Sequence, residues 1–591
     1  MTTAIKGGKL TGASLARYAL EQLPVKQVFG IPGVHNTELY DELNKSDKIE
    51  PILVTHEGGG SFMADGISRV SDSNQIGTLL IVPAAGTTHA MSGIGEAFLD
   101  GIPMLIITGG IRNDINVTYQ LHELDLPRLL SSVTKYAKRV ERHDQIVPTI
   151  FEAYRHAVSG EPGPVFVEIP VNLQLFKGEI ADLPVFEPPK QIEFANDKAL
   201  DQAVALLANA KNPGLFLGWG ARHARQSAIE IADLLGAPVS TTLQGLTVFP
   251  ADHPLHTGMG FGAHSVPAAE NAFKDVDCML AVGARFAEIP TGSFGAKVPE
   301  NLIHIDINKD VFDRNYRSKV SLHGDAKEVM SKLADQLKSK ITDPVLAKER
   351  HSKVSKQIAD DKQAYAKEWT AHKTPADRVN PHLFFQELKA KADQNMLLVV
   401  DDGNHTYLSA ELFPVTHEMG YISPTDFNCM GYAVPAAIGA KLASPERQVS
   451  VIVGDGSLLM TGVELITATT QGLGIVVFVF SDGELSQISQ GQEIPYNRKT
   501  CTVLGNIRLK GLADLTGAAY LEMNHAGDIA PKIEEAFEIA KKNQPVIVDI
   551  RIDYSKRTRF TKGVVGTVLK RFPLGDKFRF IGRALWRKVT G

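Results

Sequence analysis

Short apolar runs recur along the chain with room for one helix between successive runs, the pattern of parallel strands joined by helical crossovers. In the first part the runs are 25–30, 52–54, 76–82, 104–108 and 165–169, separated by stretches rich in Ala, Leu and Glu. Pro184, Pro188 and Pro189 then mark a linker. A second part carries 214–217, 279–282 and 302–307, and a third carries 396–400, 449–453, 475–480 and 546–550. Strands that are apolar without alternation are buried on both faces. The pattern therefore predicts an α/β protein of three domains, each a mainly parallel sheet covered by helices. The expected boundaries are 1–185, 195–345 and 378–555, with a polar helical connector over 346–377 and a tail over 556–591. The first and third parts are alike in layout.

Two runs of the third part end in acidic turns. Val451-Ile-Val-Gly-Asp-Gly-Ser457 breaks at Asp455, and Gly474-Ile-Val-Val-Phe-Val-Phe-Ser-Asp-Gly483 breaks at Asp482. The 24 residues between Gly456 and Ser481 accommodate one helix. Both acids then sit at the carboxyl ends of parallel strands, where open α/β sheets bind ligands. Two hard oxygen ligands on a glycine-rich turn suit Mg²⁺ holding a diphosphate. Gly403-Asn404-His405 follows the run ending at Val400. Its polar groups either hold phosphate oxygens on the same edge or cap a helix. In the first part Thr55-His56-Glu57-Gly58-Gly59-Gly60 follows an apolar run. There Glu57 is either a helix N-terminal cap or a carboxyl group held in a cleft for acid–base work.

Composition changes this picture little. The 591 residues are 43% hydrophobic and 22% charged, ordinary for a globular protein. No run of about 20 apolar residues could span a bilayer, and no secretion signal is expected from the first thirty residues. Cys278, Cys429 and Cys501 are too scattered for a metal site or a disulfide framework, which points to the cytoplasm. Charge adds one feature. From Lys556 onward eleven Lys or Arg accompany one acid, Asp576, so the tail carries +10 within a net −5 and the remaining chain carries −15. Phe572, Phe578, Phe580, Ile581, Leu585 and Trp586 interleave with those charges. A basic amphipathic segment of this kind suits peripheral contact with an anionic membrane; an arm docked on the acidic body is the other reading. Nucleic acid is not expected as a partner.

Together these residues resemble the thiamine-diphosphate (ThDP) enzymes of the acetolactate synthase/pyruvate oxidase/benzoylformate decarboxylase superfamily, over about residues 10–555. Gly30-Ile-Pro-Gly33, His56-Glu57, Ala85-Gly86-Thr87, Pro103 and Gly163-Pro164 match its first domain. Thr241-Thr-Leu-Gln-Gly245 and Gly283-Ala-Arg-Phe286 match the acetolactate synthase middle domain, and Met430-Gly431-Tyr432 and Gly454-Asp455-Gly456 match the cofactor domain. The resemblance implies a ThDP-binding fold twice, with a Rossmann-like domain between. It implies Mg²⁺ held by Asp455, Asp482 and the Glu484 backbone carbonyl. Pro32, Gly33, Gly403, Asn404, His405, Gly454, Gly456, Ser457 and Ser481 would contact the coenzyme, and Met430 would prop its bent form. Glu57 would hydrogen-bond the aminopyrimidine and activate the coenzyme, with Gln120 and His35 on the substrate side and His56 and His122 as further pocket candidates. The resemblance also implies that Glu57 and Asp455 come from different subunits, so that a homodimer or homotetramer carries its active sites at subunit interfaces.

Departures narrow the expectation. Ser481-Asp482 stands where the family has Asn-Asn, adding negative charge beside a diphosphate. Acetolactate synthases use an arginine where this chain has Ile289 and a tryptophan at the position of Gly491, and both help select the second 2-oxo acid. Gly218-Trp219-Gly220, Gln244, Asp306 and Gly324-Asp325 fall where relatives hold FAD or an ADP moiety, while Ala287 and Ile289 remove two polar FAD contacts; FAD is left open. The expected function is a ThDP-dependent carboligase or lyase of acetolactate synthase-like type. It would act on a 2-oxo acid such as pyruvate and on 2-oxo acid or aldehyde acceptors, with an acceptor choice different from that of housekeeping acetolactate synthase. A 2-oxo acid decarboxylase or pyruvate oxidase-like enzyme is one alternative. A non-catalytic relative is another, and the joint presence of Glu57, Met430 and Asp455 speaks against it.

Overall fold

The computed structural model describes residues 5–71, 74–190, 193–341 and 344–590. Three six-stranded sheets follow one another along the chain, with parallel pairing throughout. The first sheet runs, edge to edge, Glu50–Leu53, Gln27–Gly30, Gly77–Ile81, Met104–Gly110, Pro164–Pro170 and Tyr136–Arg139. In chain order that is second, first, third, fourth, sixth, fifth. The third sheet repeats it with Tyr421–Ile422, Leu397–Val400, Val449–Gly454, Ile475–Ser481, Val546–Arg551 and Ala519–Met523. The middle sheet differs: His256–Met259, Val239–Thr241, Pro213–Leu217, Cys278–Val282, Asn301–Asp306 and Val320–His323. Its order, third-second-first-fourth-fifth-sixth, is that of a dinucleotide-binding fold. The expected α/β class is the one observed.

Every apolar run read from the sequence becomes a strand to within two residues. Tyr136–Arg139, Val239–Thr241, His256–Met259, Val320–His323, Tyr421–Ile422 and Ala519–Met523 lie outside those runs. All but Val239–Thr241 are sheet edges, where a strand is covered on fewer sides and needs no continuous apolar run.

The first and third sheets share one core. Helix Glu57–Val70 crosses helix Ala433–Ala443 at Gly66 and Gly439. A Cβ on Gly66 would stand 2.1 Å from the Ala436 carbonyl oxygen, and one on Gly439 would stand 1.9 Å from that of Met63, so this contact needs glycine on both sides. Beside the crossing, fully buried Arg69 bonds Asp65 at 2.6 Å and Asp100 at 2.8 Å, and the Tyr432 hydroxyl donates to Asp65 at 2.5 Å. A buried guanidinium is tolerated only with partners of this quality.

Helix Pro344–Thr370 links the middle sheet to the third. Beyond the third sheet, helices Arg559–Arg571 and Leu574–Thr590 lie against the body. Phe560 stacks on Tyr407 with ring centroids 4.1 Å apart. Asn497 donates to the Arg587 carbonyl, while Arg583 and Arg587 lie over the Tyr496 ring. The tail is thus docked on helix Ser486–Tyr496. The side chains of Phe580 and Ile581 lie outside the described residues. Among the described residues no helix is long and apolar enough to cross a membrane.

Candidate active site

In the third sheet the first and third strands are neighbours and the chain leaves them toward opposite edges. Such a switch point opens a crevice at the strands' carboxyl ends. Asp401 to His405 follow Leu397–Val400 there, Asp455 to Ser457 follow Val449–Gly454, and Asp482 to Glu484 follow Ile475–Ser481. The acidic turns are knit together. Buried Asp455 accepts from the N–H groups of Gly456 and Gly483 at 2.8 Å and Asp482 at 3.2 Å, and Asp482 accepts from the Ser486 hydroxyl and from Glu484 N–H at 3.3 Å. Burial raises both carboxyl groups, Asp482 to about 6 with the charge of Asp455 adding. Two such acids side by side are a donor set that a divalent cation stabilises. The Glu484 carboxylate is paired with Lys499 at 2.6 Å, and the Ser481 hydroxyl donates to Asp549 at 2.6 Å.

Gly403 N–H donates to the Thr406 hydroxyl at 3.0 Å, so the cap of helix Asn404–Leu412 is built by Thr406, which corrects the capping reading of Asn404 and His405. The buried His405 ring stands between Gly403 and Gly454, where a Cβ would come within 2.6 Å and 3.1 Å of its Cε1. Burial lowers its pKa to about 3, and its Nε2 is buried with no protein partner, as is Asp402 Oδ1. Partnerless polar atoms in a crevice with glycine walls fit a polar ligand. Met430 is half-buried. Asp401 accepts from Gly431 N–H at 2.8 Å and Ala433 N–H at 2.7 Å, and Glu96 from Cys429 N–H at 3.1 Å, which fixes the turn around it.

Glu57 lies at the matching edge of the first sheet, as the first residue of its helix and 6% exposed. It is not the cap: His56 Nδ1 accepts from Gly58 N–H at 3.0 Å. The N–H groups of Thr55 at 3.2 Å and His56 at 3.0 Å donate to Glu464, which belongs to the third sheet's half of the chain. Glu57 Oε2 lies 3.0 Å from His89 Nδ1. Exposed Pro32 precedes Gly33, whose N–H donates to Asn36 at 2.7 Å. His35 Nδ1 lies 3.2 Å from His122 Nδ1. Gln120 keeps to its own loop, donating to the Arg112 carbonyl at 3.0 Å. The residues read from the sequence therefore gather on two edges, one around Glu57 and one around Asp455. Asp401, Glu96, Glu464 and His89 belong to the site without any motif in the sequence that marks them. The only signal was an ionisable residue inside or beside an apolar segment.

A third crevice opens at the switch point of the middle sheet, between Pro213–Leu217 and Cys278–Val282. Its cavity of about 1240 Å³ is lined by Trp219, Gly220, Gln244, Arg285, Asp306 and Asp325, among others. Trp219 Nε1 is buried there without a protein partner, and burial raises Asp306 to about 6.

Comparison with known proteins gives this arrangement its class. Three family models match in chain order: "Thiamine pyrophosphate enzyme, N-terminal TPP binding domain" over residues 10–129, "Thiamine pyrophosphate enzyme, central domain" over 200–333, and "Thiamine pyrophosphate enzyme, C-terminal TPP binding domain" over 401–550. The chain belongs to the thiamine pyrophosphate enzymes. Within that family it is 30% identical to the acetolactate synthase large subunit of Corynebacterium glutamicum, over 92% of this chain and 86% of that protein. It is 27% identical to the acetolactate synthase isozyme 1 large subunit of Escherichia coli (93% and 95% covered), and 29% to the probable acetolactate synthase large subunit of Methanocaldococcus jannaschii (92% and 92%). The protein is thus an enzyme of acetolactate synthase-like type with ThDP-binding domains.

Proposed function

We propose that the protein is a ThDP- and Mg²⁺-dependent carboligase. It would join the decarboxylated fragment of a 2-oxo acid such as pyruvate to a carbonyl acceptor, with an acceptor choice different from that of acetolactate synthase. The observation that carries this reading is the pair of complementary edges, a buried glutamate on one and knit acidic turns on the other. ThDP, when bound, supplies the electron sink for C–C bond chemistry beside a carbonyl. Asp455, Asp482 and the Glu484 main-chain carbonyl would hold the metal. Gly403, Asn404, His405, Gly454, Gly456 and Ser457 would meet the diphosphate, His405 through its partnerless Nε2. Asp401 holds the turn that carries Met430, which would prop the coenzyme in its bent form. Glu57 would hold and return a proton at the pyrimidine, with Pro32 and Gly33 beside it and Gln120 and His35 toward the substrate.

Two positions support the altered acceptor choice. Ile289 packs on the core that lies under the third sheet, and a Cβ on Gly491 would meet nothing within 4 Å. Neither offers a polar or aromatic group to a second 2-oxo acid. The middle crevice supports a nucleotide as an additional ligand, and a flavin absorbance band in the purified protein separates FAD from an ADP moiety. The tail supports peripheral contact with an anionic membrane, because Leu574, Phe578, Leu585 and Trp586 remain exposed beside its basic residues.

The test is a panel of 2-oxo acids and aldehydes with added ThDP and Mg²⁺, following CO₂ release and new C–C products. Glu57→Gln is expected to lower turnover by about 10²- to 10⁴-fold, the range of a lost acid–base group. A protein that turns over no 2-oxo acid or 2-hydroxy ketone would not be this enzyme.

A further inference from the structure

The proposed roles leave one ionisable group beside Glu57 without a task. After strand Gly77–Ile81 the chain reverses at Ala84, which holds φ +53° and ψ −91°. A residue with a Cβ pays of order 1–3 kcal/mol for such backbone. The turn starts the short helix Ala85–His89 and sets it against Glu57. Gly86 faces Glu57 Oε1, where a Cβ would stand 2.9 Å away, and His89 Nδ1 lies 3.0 Å from Oε2. The carboxyl group is therefore held at one oxygen by an imidazole and left with room at the other.

His89 is itself held in place. Its ring stacks on that of His56, with centroids 4.6 Å apart and planes at 26°. His56 is anchored by its Nδ1 on Gly58 N–H and by its own N–H on Glu464. The other ionisable groups around Glu57 are occupied: the Tyr40 hydroxyl donates to the Leu80 carbonyl at 2.7 Å, and Glu464 takes Thr55, His56 and Thr467. Exposure differs across the pair, 7% for the Glu57 side chain and 49% for His89.

We infer that His89 is a positioning residue that fixes the Glu57 carboxyl group and links its proton to solvent. The inference rests on the coenzyme reading above. With Glu57 ionised, His89 Nδ1–H donates to Oε2 and stabilises the negative charge. To reprotonate Glu57, the imidazole passes its Nδ1 proton to Oε2 and receives one at Nε2 from water. Nothing is consumed: the reverse transfer, from Oε2 back to Nδ1 with loss of the Nε2 proton to solvent, deprotonates Glu57 and restores the imidazole.

The experiment compares wild type, His89→Asn and His89→Ala. Asparagine keeps a donor near the place of Nδ1 but does not titrate. Titration calorimetry with ThDP and Mg²⁺, in buffers of different ionisation enthalpy between about pH 5 and 8, counts the protons exchanged on coenzyme binding across the range where imidazoles change charge. Both variants should exchange fewer protons than wild type and lose the wild-type pH dependence of coenzyme affinity. Turnover in His89→Ala should fall by about tenfold to a hundredfold, the range for a group acting through another, with partial recovery in His89→Asn. Thermal melts verify that both variants fold. If wild type takes up no coenzyme, the coenzyme reading falls and this inference with it. If wild type binds coenzyme but both variants keep its proton count and pH profile, the inference alone is overturned.

Discussion

Asp401 spends both carboxylate oxygens on main-chain N–H groups, of Gly431 and Ala433, and so fixes the turn that carries Met430. Burial lifts it to about 7 even against those two donors. In Asp401→Asn the side chain has one oxygen for the two N–H groups, and its NH₂ faces the other. A buried unsatisfied donor costs about 1–3 kcal/mol, so the melting temperature should fall. Calorimetry should also show weaker ThDP uptake, because the Met430 turn loosens. An unchanged coenzyme affinity would mean that the turn does not shape the coenzyme site. Asp401 ends an apolar run as Asp455 and Asp482 do, but no glycine-flanked motif marks it, and nothing local tells that it will hold the N–H groups of Gly431 and Ala433, some thirty residues on. Glu464 is harder still to read, because it receives His56 N–H across 408 residues of chain. A local pattern records which residues end a strand. It does not record which distant loop an acid will hold.

Among the elements, the central strands other than the three-residue Val239–Thr241 are legible because burial on both faces demands unbroken apolar runs. Apart from Glu50–Leu53, the edge strands are not: Tyr136–Arg139 is half-buried along its whole length, and Ala519–Met523 mixes buried, half-buried and exposed positions. Strand order is also beyond the pattern, since the first and middle sheets are built from similar runs yet wind differently. The tail is legible as basic and amphipathic, and its docking adds the geometry. Helix Leu574–Thr590 uses Arg583 and Arg587 against Tyr496, while Phe578 and Trp586 stay 74% and 70% exposed. Each basic residue near an anionic surface contributes about 1 kcal/mol, so the full chain should co-sediment with phosphatidylglycerol vesicles and release with salt. Phe578→Glu with Leu585→Glu should abolish that binding while leaving turnover intact. Equal binding to neutral and anionic vesicles would remove the membrane reading and leave the tail as an arm that buttresses helix Ser486–Tyr496.

At the scale of the molecule, the two edges pose a question of assembly. Within one chain the first and third sheets are already joined, through the Gly66–Gly439 crossing and through Glu464. Yet both edges carry exposed apolar residues. Leu459, Met460, Val463 and Ile466 follow Asp455 at helical spacing, and Val34 and Leu53 flank the first sheet's edge. Apolar groups gathered beside a site mark an interface, and two copies related by a two-fold axis would cover both edges at once. The 64.2 kDa chain should therefore sediment at no less than twice its mass. Mixing two inactive variants tests who supplies what. Glu57→Gln and Asp455→Asn chains, unfolded together and refolded, form mixed dimers. If Glu57 and Asp455 act across the interface, each mixed dimer holds one intact site and one doubly altered site. Half of the dimers are mixed, so the sample should regain about a quarter of wild-type turnover. If both residues serve the same site from one chain, every site in every dimer carries one lesion and no activity returns. The regained fraction thus reads directly whether the crevice is built by one chain or by two.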